Sequence, residues 1–550
     1  MGNSASSDAI PGYEPTGRPD GGQTVLSQGQ QSGNKIHNGD EDLRVRRYRR
    51  NRALLGYVVI LLIYFLLLSF WQVEPVPEAV HAASVLLVAI CLLPITLWYA
   101  RGGQVLPMFE LICLSYALQF GSAIYTQPRQ LIILSMPVYL SWDSVLRALL
   151  LTLLGVVSLI LGYYAAKSRF ISEHLPQIDL PLHPKRRTYF LVGAFAIGSG
   201  VMLLQVLALA PSGSGPLGAI MRLLANQLNI VIILLAYQVY GDSQKHLFRT
   251  WPLYACVGIA VLLGLATGFL EGALVPLLIL LIVRWHIVRK VPWRILFVSA
   301  LLFILLNPVK SAYRVQVWYG ESNLGLVDRI TLWFDLSGDA VRDIVTGDKL
   351  GETENLARQA LARFDLIHKF AYVQDLTPAF VPYYEGSTYE YLLFGWIPRF
   401  LWPDKPIASD INSRLDIDYS LVEPEQISGT TIAIGQLPEA YANFGPPGII
   451  VVLLLQGISF AMLDTIFNGR RSDGGRAIYL AVMISFLNGI GSSTAIFFGA
   501  LVQNAVANVA LLRLFATGFK SKSSEEAPEQ EPASRAKSPE LAWQALDANR

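Results

Sequence analysis

Long runs of apolar residues recur along most of this chain, and many approach the roughly 20 residues that a helix needs to cross a bilayer. Such runs lie at residues 53–71, 80–99 and 144–165, so a single cleaved signal peptide does not explain them. The pattern predicts an all-α, polytopic transmembrane helix bundle of about twelve helices. Their predicted bounds are 53–71, 80–99, 105–125, 144–165, 188–210, 217–240, 251–268, 271–288, 293–307, 446–467, 477–497 and 498–516.

Basic residues between these runs predict the orientation of the bundle, because cytoplasmic loops are enriched in Lys and Arg. Six arginines between Arg44 and Arg52 precede the first run and place the N-terminus in the cytoplasm. Every even-to-odd connection then carries a Lys or Arg, whereas the short odd-to-even connections hold almost none besides Arg129. Both termini are therefore predicted to be cytoplasmic, and the segment 307–445 is predicted to be extracytoplasmic.

These predictions divide the chain into five parts. Residues 1–52 and 518–550 are rich in polar residues, with many Gly, Ser, Glu or Pro, and are predicted to be disordered cytoplasmic tails. Residues 53–306 carry helices one to nine, and residues 446–517 carry helices ten to twelve. Between them, residues 307–445 form a large periplasmic or extracytoplasmic loop that contains short helices.

Composition narrows the classes of function. Hydrophobic residues make up 53% of the chain and charged residues 15%, which excludes an ordinary soluble protein of this length. The net charge of +2 arises from basic residues beside the predicted helices and does not indicate nucleic-acid binding. Cys91, Cys113 and Cys256 lie inside apolar runs, and no CxxC or HExxH motif is present. We therefore expect no metal site, no cofactor and no disulfide framework.

The 307–445 loop is longer than a connector requires and is rich in aromatic residues, which predicts a folded cap. Its residues 353–375 show apolar positions at helical spacing and predict a helix. Several cations lie in this loop, and guanidinium groups suit phosphate because they donate two parallel hydrogen bonds. The alternative is that these cations pair with acids of the loop or with lipid headgroups. They are Lys310, Arg314, Arg363, His368, Lys369, Arg399 and Lys405.

Two further segments of the loop combine proline with candidate binding or catalytic side chains. In residues 394–406, three prolines break any regular element, and Trp396 and Trp402 are suited to anchoring at the headgroup level or to stacking on sugar rings. In residues 435–448, Gly and Pro favour close backbone packing around Glu439 and Tyr441. Glu439 is a candidate general base, or a group that orients a cation.

Three pieces of this loop resemble the Wzy-type O-antigen polymerases, also called oligosaccharide repeat-unit polymerases. The order and spacing of the pieces carry the resemblance, and the predicted helices extend it to the membrane-embedded body. The pieces are Thr377-Pro378…Val381-Pro382-Tyr383…Gly386…Thr388-Tyr389, then Ile397-Pro398-Arg399…Trp402-Pro403-Asp404-Lys405-Pro406, then Gly435…Glu439-Ala440-Tyr441…Asn443-Phe444-Gly445…Gly448.

The resemblance implies a metal-independent glycosyltransferase acting on undecaprenyl-pyrophosphate-linked oligosaccharides at the outer face of the bacterial inner membrane. It would move the growing glycan from its lipid pyrophosphate onto an incoming lipid-linked repeat unit, giving a surface or exported polysaccharide. By this analogy Arg314, Arg363 and Arg399 hold the departing pyrophosphate, and Glu439 or His368 takes the proton of the acceptor hydroxyl. The expected partners are this lipid-linked oligosaccharide and membrane lipid, with a chain-length regulator and a flippase as further candidates.

Three alternatives stay open at this point. An O-antigen-ligase-like transferase would also use a large outer loop, but would deliver finished glycan to a different acceptor. A lipid-linked-oligosaccharide transporter or flippase is disfavoured, because it is expected to carry charge along several helices and these helices are nearly uncharged. Glu110 and Glu271 are the main exceptions, and both are interpreted as structural. The non-enzymatic alternative is a scaffold for a polysaccharide-export assembly.

Overall fold

Helices account for most of the residues that the computed structural model describes. Helices also occupy each of the segments in which the apolar pattern predicts one. The described residues are 45–66, 70, 72–103, 105–134, 136–168, 172–178, 180–182, 184–207, 209, 215–241, 247–318, 324–346, 362–395, 397, 401–407, 409–427, 432, 434–468 and 473–516.

In the first part of the chain, the described residues form a series of helices interrupted by a β-hairpin. In the hairpin, β1 (Gln130–Ile133) pairs antiparallel with β2 (Met136–Tyr139). The helices are α1 (45–66), α2 (Glu78–Ala100), α3 (Met108–Thr126, with a π-helical turn at Ala117–Ser122), α4 (Trp142–Ala166), α5 (Pro184–Val206), α6 (Pro216–Ala225), α7 (Gln227–Gly241), α8 (Leu247–Ala266), α9 (Leu270–Val288) and α10 (Trp293–Trp318).

The second part has long helices at both ends and short elements between them. Short 3₁₀ turns lie at Ala362–Phe364, Ser387–Tyr389 and Pro424–Gln426. The helices are α11 (Leu326–Thr346), α12 (Ile367–Leu376), α13 (Tyr391–Phe394), α14 (Ser409–Asp418), α15 (Gln436–Phe467), α16 (Asp473–Gly489) and α17 (Thr494–Ala516).

Eight helical segments among the described residues are long and apolar enough to cross a membrane. They are α2, α3, α4, α5, α6 with α7, α9, α15 and α17, and parts of α8 and α10 form shorter apolar helices. The mostly helical, membrane-type character predicted from the sequence is therefore confirmed. The count of about twelve spanning helices and the extracytoplasmic position of the loop remain predictions.

Helices α4 and α15 form the most closely packed pair in the bundle because glycine lines their contact. A Cβ added to Gly162 of α4 would collide with the carbonyl group of Leu454, and one added to Gly457 of α15 would collide with that of Leu159. Small residues allow two helix backbones to approach to direct contact, which is a common way to join helices in membranes. The pair therefore forms a rigid frame beside the loop elements.

A sharp bend divides α15 near its start. Gly445 has a φ of +64°, and Pro446 and Pro447 follow it. A Cβ on Gly445 would lie 2.9 Å from the hydroxyl oxygen of Tyr383, so the bend is packed directly against the loop. Residues 436–444 are thereby set apart from the long apolar part of α15.

The helix predicted over 353–375 is interrupted at residues 362–366. Residues 353–361 lie outside the described residues, a 3₁₀ turn follows them, and α12 begins at Ile367. Leu366 immediately precedes this helix, and its N–H donates outside the helix, to the carbonyl oxygen of Gln119 at 3.2 Å. The side chain of Asp365 accepts a hydrogen bond from the N–H of His368 at 3.3 Å. Such an acceptor caps the first turn of a helix and defines where it starts.

Candidate functional site

The first and third of the three loop pieces pack directly against each other. The N–H of Tyr384 donates to the carbonyl oxygen of Ala442 at 3.1 Å, and that of Gly386 donates to Oδ1 of Asn443 at 3.0 Å. Nδ2 of Asn443 donates to Oγ1 of Thr388 at 2.8 Å. Asn443 is fully buried, and a buried amide with all these partners fixes the relative position of the two pieces.

The second piece, residues 397–406, is attached to helix α17. Nζ of Lys405 donates to the carbonyl oxygens of Gly395 at 3.1 Å and Ile397 at 2.8 Å. Gln503 of α17 donates to the same two oxygens at 2.6 and 3.3 Å. Lys405 is buried, so its ammonium group has a structural role in this arrangement. Its predicted role in phosphate binding stays a prediction.

The two residues Asp365 and His368 form a buried acid–imidazole pair. Nδ1 of His368 lies 2.9 Å from Oδ1 and 2.8 Å from Oδ2 of Asp365. His368 is fully buried, and its Nε2 has no hydrogen-bonding partner among the described residues. A carboxylate at Nδ1 favours the tautomer with the proton on Nδ1, which leaves the lone pair of Nε2 able to accept a proton.

Two more ionisable residues lie beside this pair. Lys369 interacts electrostatically with Asp365 and with Asp416 of α14. Asp416 has no exposed surface, and its Oδ2 accepts the N–H of Ile432 at 2.9 Å. Burial raises the pKa of the Asp416 carboxyl to about 6, while that hydrogen bond and the Lys369 charge oppose the rise. Burial lowers the pKa of the Lys369 ammonium group, because it disfavours the charged form. The carboxylates of Asp365 and Asp416 act in the opposite direction and raise this pKa.

We call Asp365, His368, Lys369 and Asp416 the acid–base cluster. Ionisable side chains grouped in this way are a common feature of sites where a protein moves a proton. Among the described residues no group of three or more His, Cys, Asp or Glu is arranged to hold a metal ion.

Glu439 lies in the first turn of α15 and is fully buried. Its Oε2 accepts the N–H of Thr494, the first residue of α17, at 2.6 Å. A carboxylate at this point satisfies a helix N-terminus and interacts favourably with its dipole. Burial and the nearby Glu439 carboxylate raise the pKa of Tyr389 well above its usual value. Glu439 therefore joins α15, α17 and the Ser387–Tyr389 turn at an enclosed contact, which we call the Glu439 junction.

The acid–base cluster and the Glu439 junction are separated by the side chain of Leu366. A Cβ built on Gly435 would lie 3.5 Å from Cδ1 of Leu366, and one built on Gly491 would lie 3.8 Å from its Cδ2. Gly435 immediately precedes α15, and Gly491 belongs to the turn that enters α17. The turn that carries Asp365 and His368 therefore rests on the two turns that position Glu439 and Thr494.

A family model described as a domain of unknown function, DUF8712, matches residues 207–489, which is more than half of the chain. The chain belongs to this family. No curated protein and no solved structure matches it. The segment shared with DUF8712 contains the whole acid–base cluster and Glu439, and it ends before Thr494.

Two of the predicted cations in this DUF8712 chain lie on α10. Nε of Arg314 donates to the carbonyl oxygen of Gly268 at 3.1 Å, and its guanidinium lies 5.0 Å from the centre of the Phe269 ring. Lys310 is buried one helical turn earlier. Their helix packs in a second hydrophobic cluster with the α8–α9 turn and α11, and its Phe303 ring lies 5.8 Å from that of Phe364, the residue before Asp365.

The predicted aromatic residues take different positions. Tyr441 packs between the rings of Phe370 and Tyr383, with centroid distances of 5.8 and 6.4 Å, so it belongs to the core beside α12. Trp402 is partly exposed, with its ring 5.5 Å from that of Phe394. Three predicted site residues lie outside what the structure describes: Trp396, Arg399 and the side chain of Arg363.

Sequence reasoning named His368, Lys369 and Glu439, but it missed Asp365 and Asp416. A signal for Asp365 was present, because an acid three residues before a histidine at the start of a helix can both cap the helix and contact the imidazole. Asp416 had no comparable signal. Its position depends on how α14 packs beside α12, which local spacing does not reveal.

Proposed function

We propose that this chain is a membrane glycosyltransferase that polymerises undecaprenyl-pyrophosphate-linked oligosaccharide repeat units. In this proposal it spans the bacterial inner membrane with both termini in the cytoplasm and the 307–445 loop outside. The observation that supports it most directly is the buried Asp365–His368 pair, whose Nε2 has no protein partner among the described residues. This pair lies beside the loop pieces that resemble the oligosaccharide repeat-unit polymerases.

The proposed reaction needs a group that removes a proton from the acceptor hydroxyl. Nε2 of His368 takes this proton while the hydroxyl oxygen attacks the anomeric carbon of the donor glycan. The bond from that carbon to the lipid pyrophosphate breaks, and the pyrophosphate leaves with the bonding electron pair. Asp365 holds the imidazole in the required tautomer and stabilises the imidazolium that forms, which makes Asp365 a positioning residue.

Burial keeps bulk water away from the cluster, and a sugar hydroxyl reaches Nε2 of His368 only when the packing around it opens. His368 and Asp416 have no exposed surface, and Asp365 is nearly buried. A buried acceptor without a partner costs about 1–3 kcal/mol, so Nε2 favours a ligand that donates a hydrogen bond to it. The departing pyrophosphate needs cations, and Arg314, Arg363 and Arg399 remain the candidates for that role.

The test is deletion of the gene, complementation with variants, and analysis of glycan length. We expect His368→Gln to insert normally but to leave single repeat units on the lipid carrier. His286→Gln is the matched control, because His286 is also buried but lies near the C-terminal end of α9. Long chains made by His368→Gln would overturn the proposed role.

The same deletion distinguishes the other functions. Long lipid-linked chains that never reach their final acceptor would indicate a ligase. Single units that stay in the cytoplasmic leaflet would indicate a flippase. Glycan of unchanged length and amount would overturn the proposed function as a whole.

A further inference from the structure

A cavity of about 230 Å³ lies between helices α9, α16 and α17, outside the acid–base cluster. Its lining is mixed. Polar groups come from one carboxylate, one amide and two hydroxyls, and aromatic surface comes from two phenylalanines. These residues are Glu271, Asn504, Ser485, Ser492, Phe486 and Phe497.

Only one turn separates this cavity from the Glu439 junction. Gly489 and Ser492 line the cavity and belong to the connection between α16 and α17. On the other side of this connection, Gln436 donates to the carbonyl oxygen of Gly489 at 3.4 Å, and Thr494 donates to Glu439 at 2.6 Å. A ligand in the cavity would therefore touch the same turn that positions Glu439 and contacts Leu366.

The lining selects the class of ligand. A carboxylate accepts hydrogen bonds from hydroxyls, an amide both donates and accepts, and Ser hydroxyls do the same. Aromatic rings supply apolar surface for the C–H face of a sugar ring. No Lys or Arg lines the cavity among the described residues, so its described lining offers no cation to a phosphate. These features favour a neutral polyhydroxylated ligand over an anionic headgroup.

The size of the cavity restricts this ligand further. Pockets for drug-sized molecules measure roughly 300–1,000 Å³, and this cavity is smaller. It has room for one sugar ring, whereas an oligosaccharide would have to extend out of its open side. Asn504 lies ten residues after the first residue of α17, about 15 Å along the helix. The cavity thus reaches well into the bundle from the end where Glu271 begins α9.

We propose that this cavity binds one sugar residue of the lipid-linked glycan, with Glu271 and Asn504 hydrogen-bonded to its hydroxyls. The inference rests on the proposed function and adds a specificity subsite to it. It also gives Glu271 a role in ligand binding, where its sequence context suggested a structural one. The subsite takes the sugar ring and not the pyrophosphate, since its described lining offers that group no Lys or Arg.

The experiment compares two probes on the full-length chain in nanodiscs. One probe is the pool of lipid-linked oligosaccharides extracted from cells that lack the gene, and the other is undecaprenyl pyrophosphate without sugar. Native mass spectrometry measures both affinities, with His368→Gln added to every chain, including the one with the wild-type cavity, so that the lipid is not turned over. We expect the chain with the wild-type cavity to bind the sugar-bearing lipid more tightly than the bare lipid. Glu271→Gln and Asn504→Leu each reduce this preference by roughly 10-fold, the loss of one hydrogen bond, and leave binding of the bare lipid unchanged.

Val506→Leu is the matched control, because Val506 is an exposed residue of α17. It should keep the full preference for the sugar-bearing lipid.

If both cavity variants also keep this preference, the proposed subsite is wrong, and the proposed function is then judged by the glycan-length assay alone. If that assay shows unchanged glycan in the deletion strain while the cavity variants still lose their preference, the polymerase function is wrong and the sugar site remains. Thermal unfolding of each variant shows whether a loss of binding results from misfolding. If Asn504→Leu is misfolded, the more conservative Glu271→Gln decides whether the subsite exists.

Discussion

Oδ2 of Asp365 lies 2.8 Å from Nδ1 of His368, three residues further along the chain. The same carboxylate accepts the backbone N–H of His368, so it has one structural contact and one contact with the imidazole. Asp365→Asn keeps an oxygen for the backbone contact but removes the charge that stabilises an imidazolium. We expect the turnover number for glycan transfer to fall roughly 100-fold or more, with little change in KM, measured with purified protein and lipid-linked oligosaccharide.

Asp375→Asn is the control for that variant, because Asp375 pairs at 3.2 Å with Arg147 at a more exposed position near the end of α12. It should keep nearly wild-type turnover, since surface ion pairs contribute little. Equal turnover numbers for the two variants would contradict a positioning role for Asp365.

Asp416 predicts a dependence of stability on pH. Its pKa is about 6 in the folded protein against 3.8 for an ordinary Asp, so the folded state binds this proton more tightly than the unfolded state. Its contribution to stability is therefore present below about pH 4 and is lost as the pH rises through about 6. Asp416→Asn does not titrate, and it should raise the free energy of unfolding at neutral pH by on the order of 1 kcal/mol.

The measurement is denaturant unfolding in mixed micelles at several pH values. Asp410→Asn is the control, because Asp410 is an exposed residue of the same helix. The difference between Asp416→Asn and wild type should shrink as the pH falls. A difference that stays constant across the range would exclude Asp416 as the titrating group.

Lys405 and Gln503 are predicted to compensate for each other. Both donate to the carbonyl oxygens of Gly395 and Ile397, so removal of either leaves one donor for each oxygen. We expect Lys405→Met and Gln503→Leu each to cost about 1 kcal/mol, and the double variant to cost more than the sum. A double-mutant cycle on the free energy of unfolding measures this coupling, and strict additivity would argue against shared acceptors.

The ion pair of Lys167 and Asp464 predicts an asymmetry between its two partners. The Asp464 side chain is 2% exposed and the Lys167 side chain 31%, and Tyr163 also donates to Asp464 at 3.0 Å. Lys167→Met leaves a buried carboxylate without its cation and should cost about 3–5 kcal/mol. Asp464→Asn should cost less, because Lys167 can turn toward water. Thermal unfolding of the two variants in one detergent gives the order, and the reverse order would contradict this account.

The positions of the helices were predictable because a bilayer-spanning helix needs a long apolar run, and such a run can be seen without knowledge of its neighbours. The start of α12 was not predictable from periodicity, since it depends on a cap from Asp365 and on a hydrogen bond from Leu366 to Gln119 in α3. The apolar pattern continues through these residues, but the helix does not.

The candidate site was predictable only in part, for a similar reason. The sequence indicated His368 and Glu439 as candidate bases. The identities of their partners depend on contacts between distant segments, such as the one between Glu439 and Thr494. Lys405 is a further example, because its two backbone acceptors, the carbonyl oxygens of Gly395 and Ile397, could not be predicted from its sequence neighbourhood, while its phosphate-binding role stays a prediction.

The glycine contact between α4 and α15 has a practical consequence for anyone who dissects this protein. Gly457 lies within the segment shared with DUF8712, but Leu159, against which it packs, lies outside, and so does Thr494. A recombinant fragment cut at residues 207 and 489 would expose the glycine face of α15 and leave the Glu439 carboxylate without its helix terminus. The boundaries of shared ancestry in this chain are therefore not the boundaries of an autonomously folding unit.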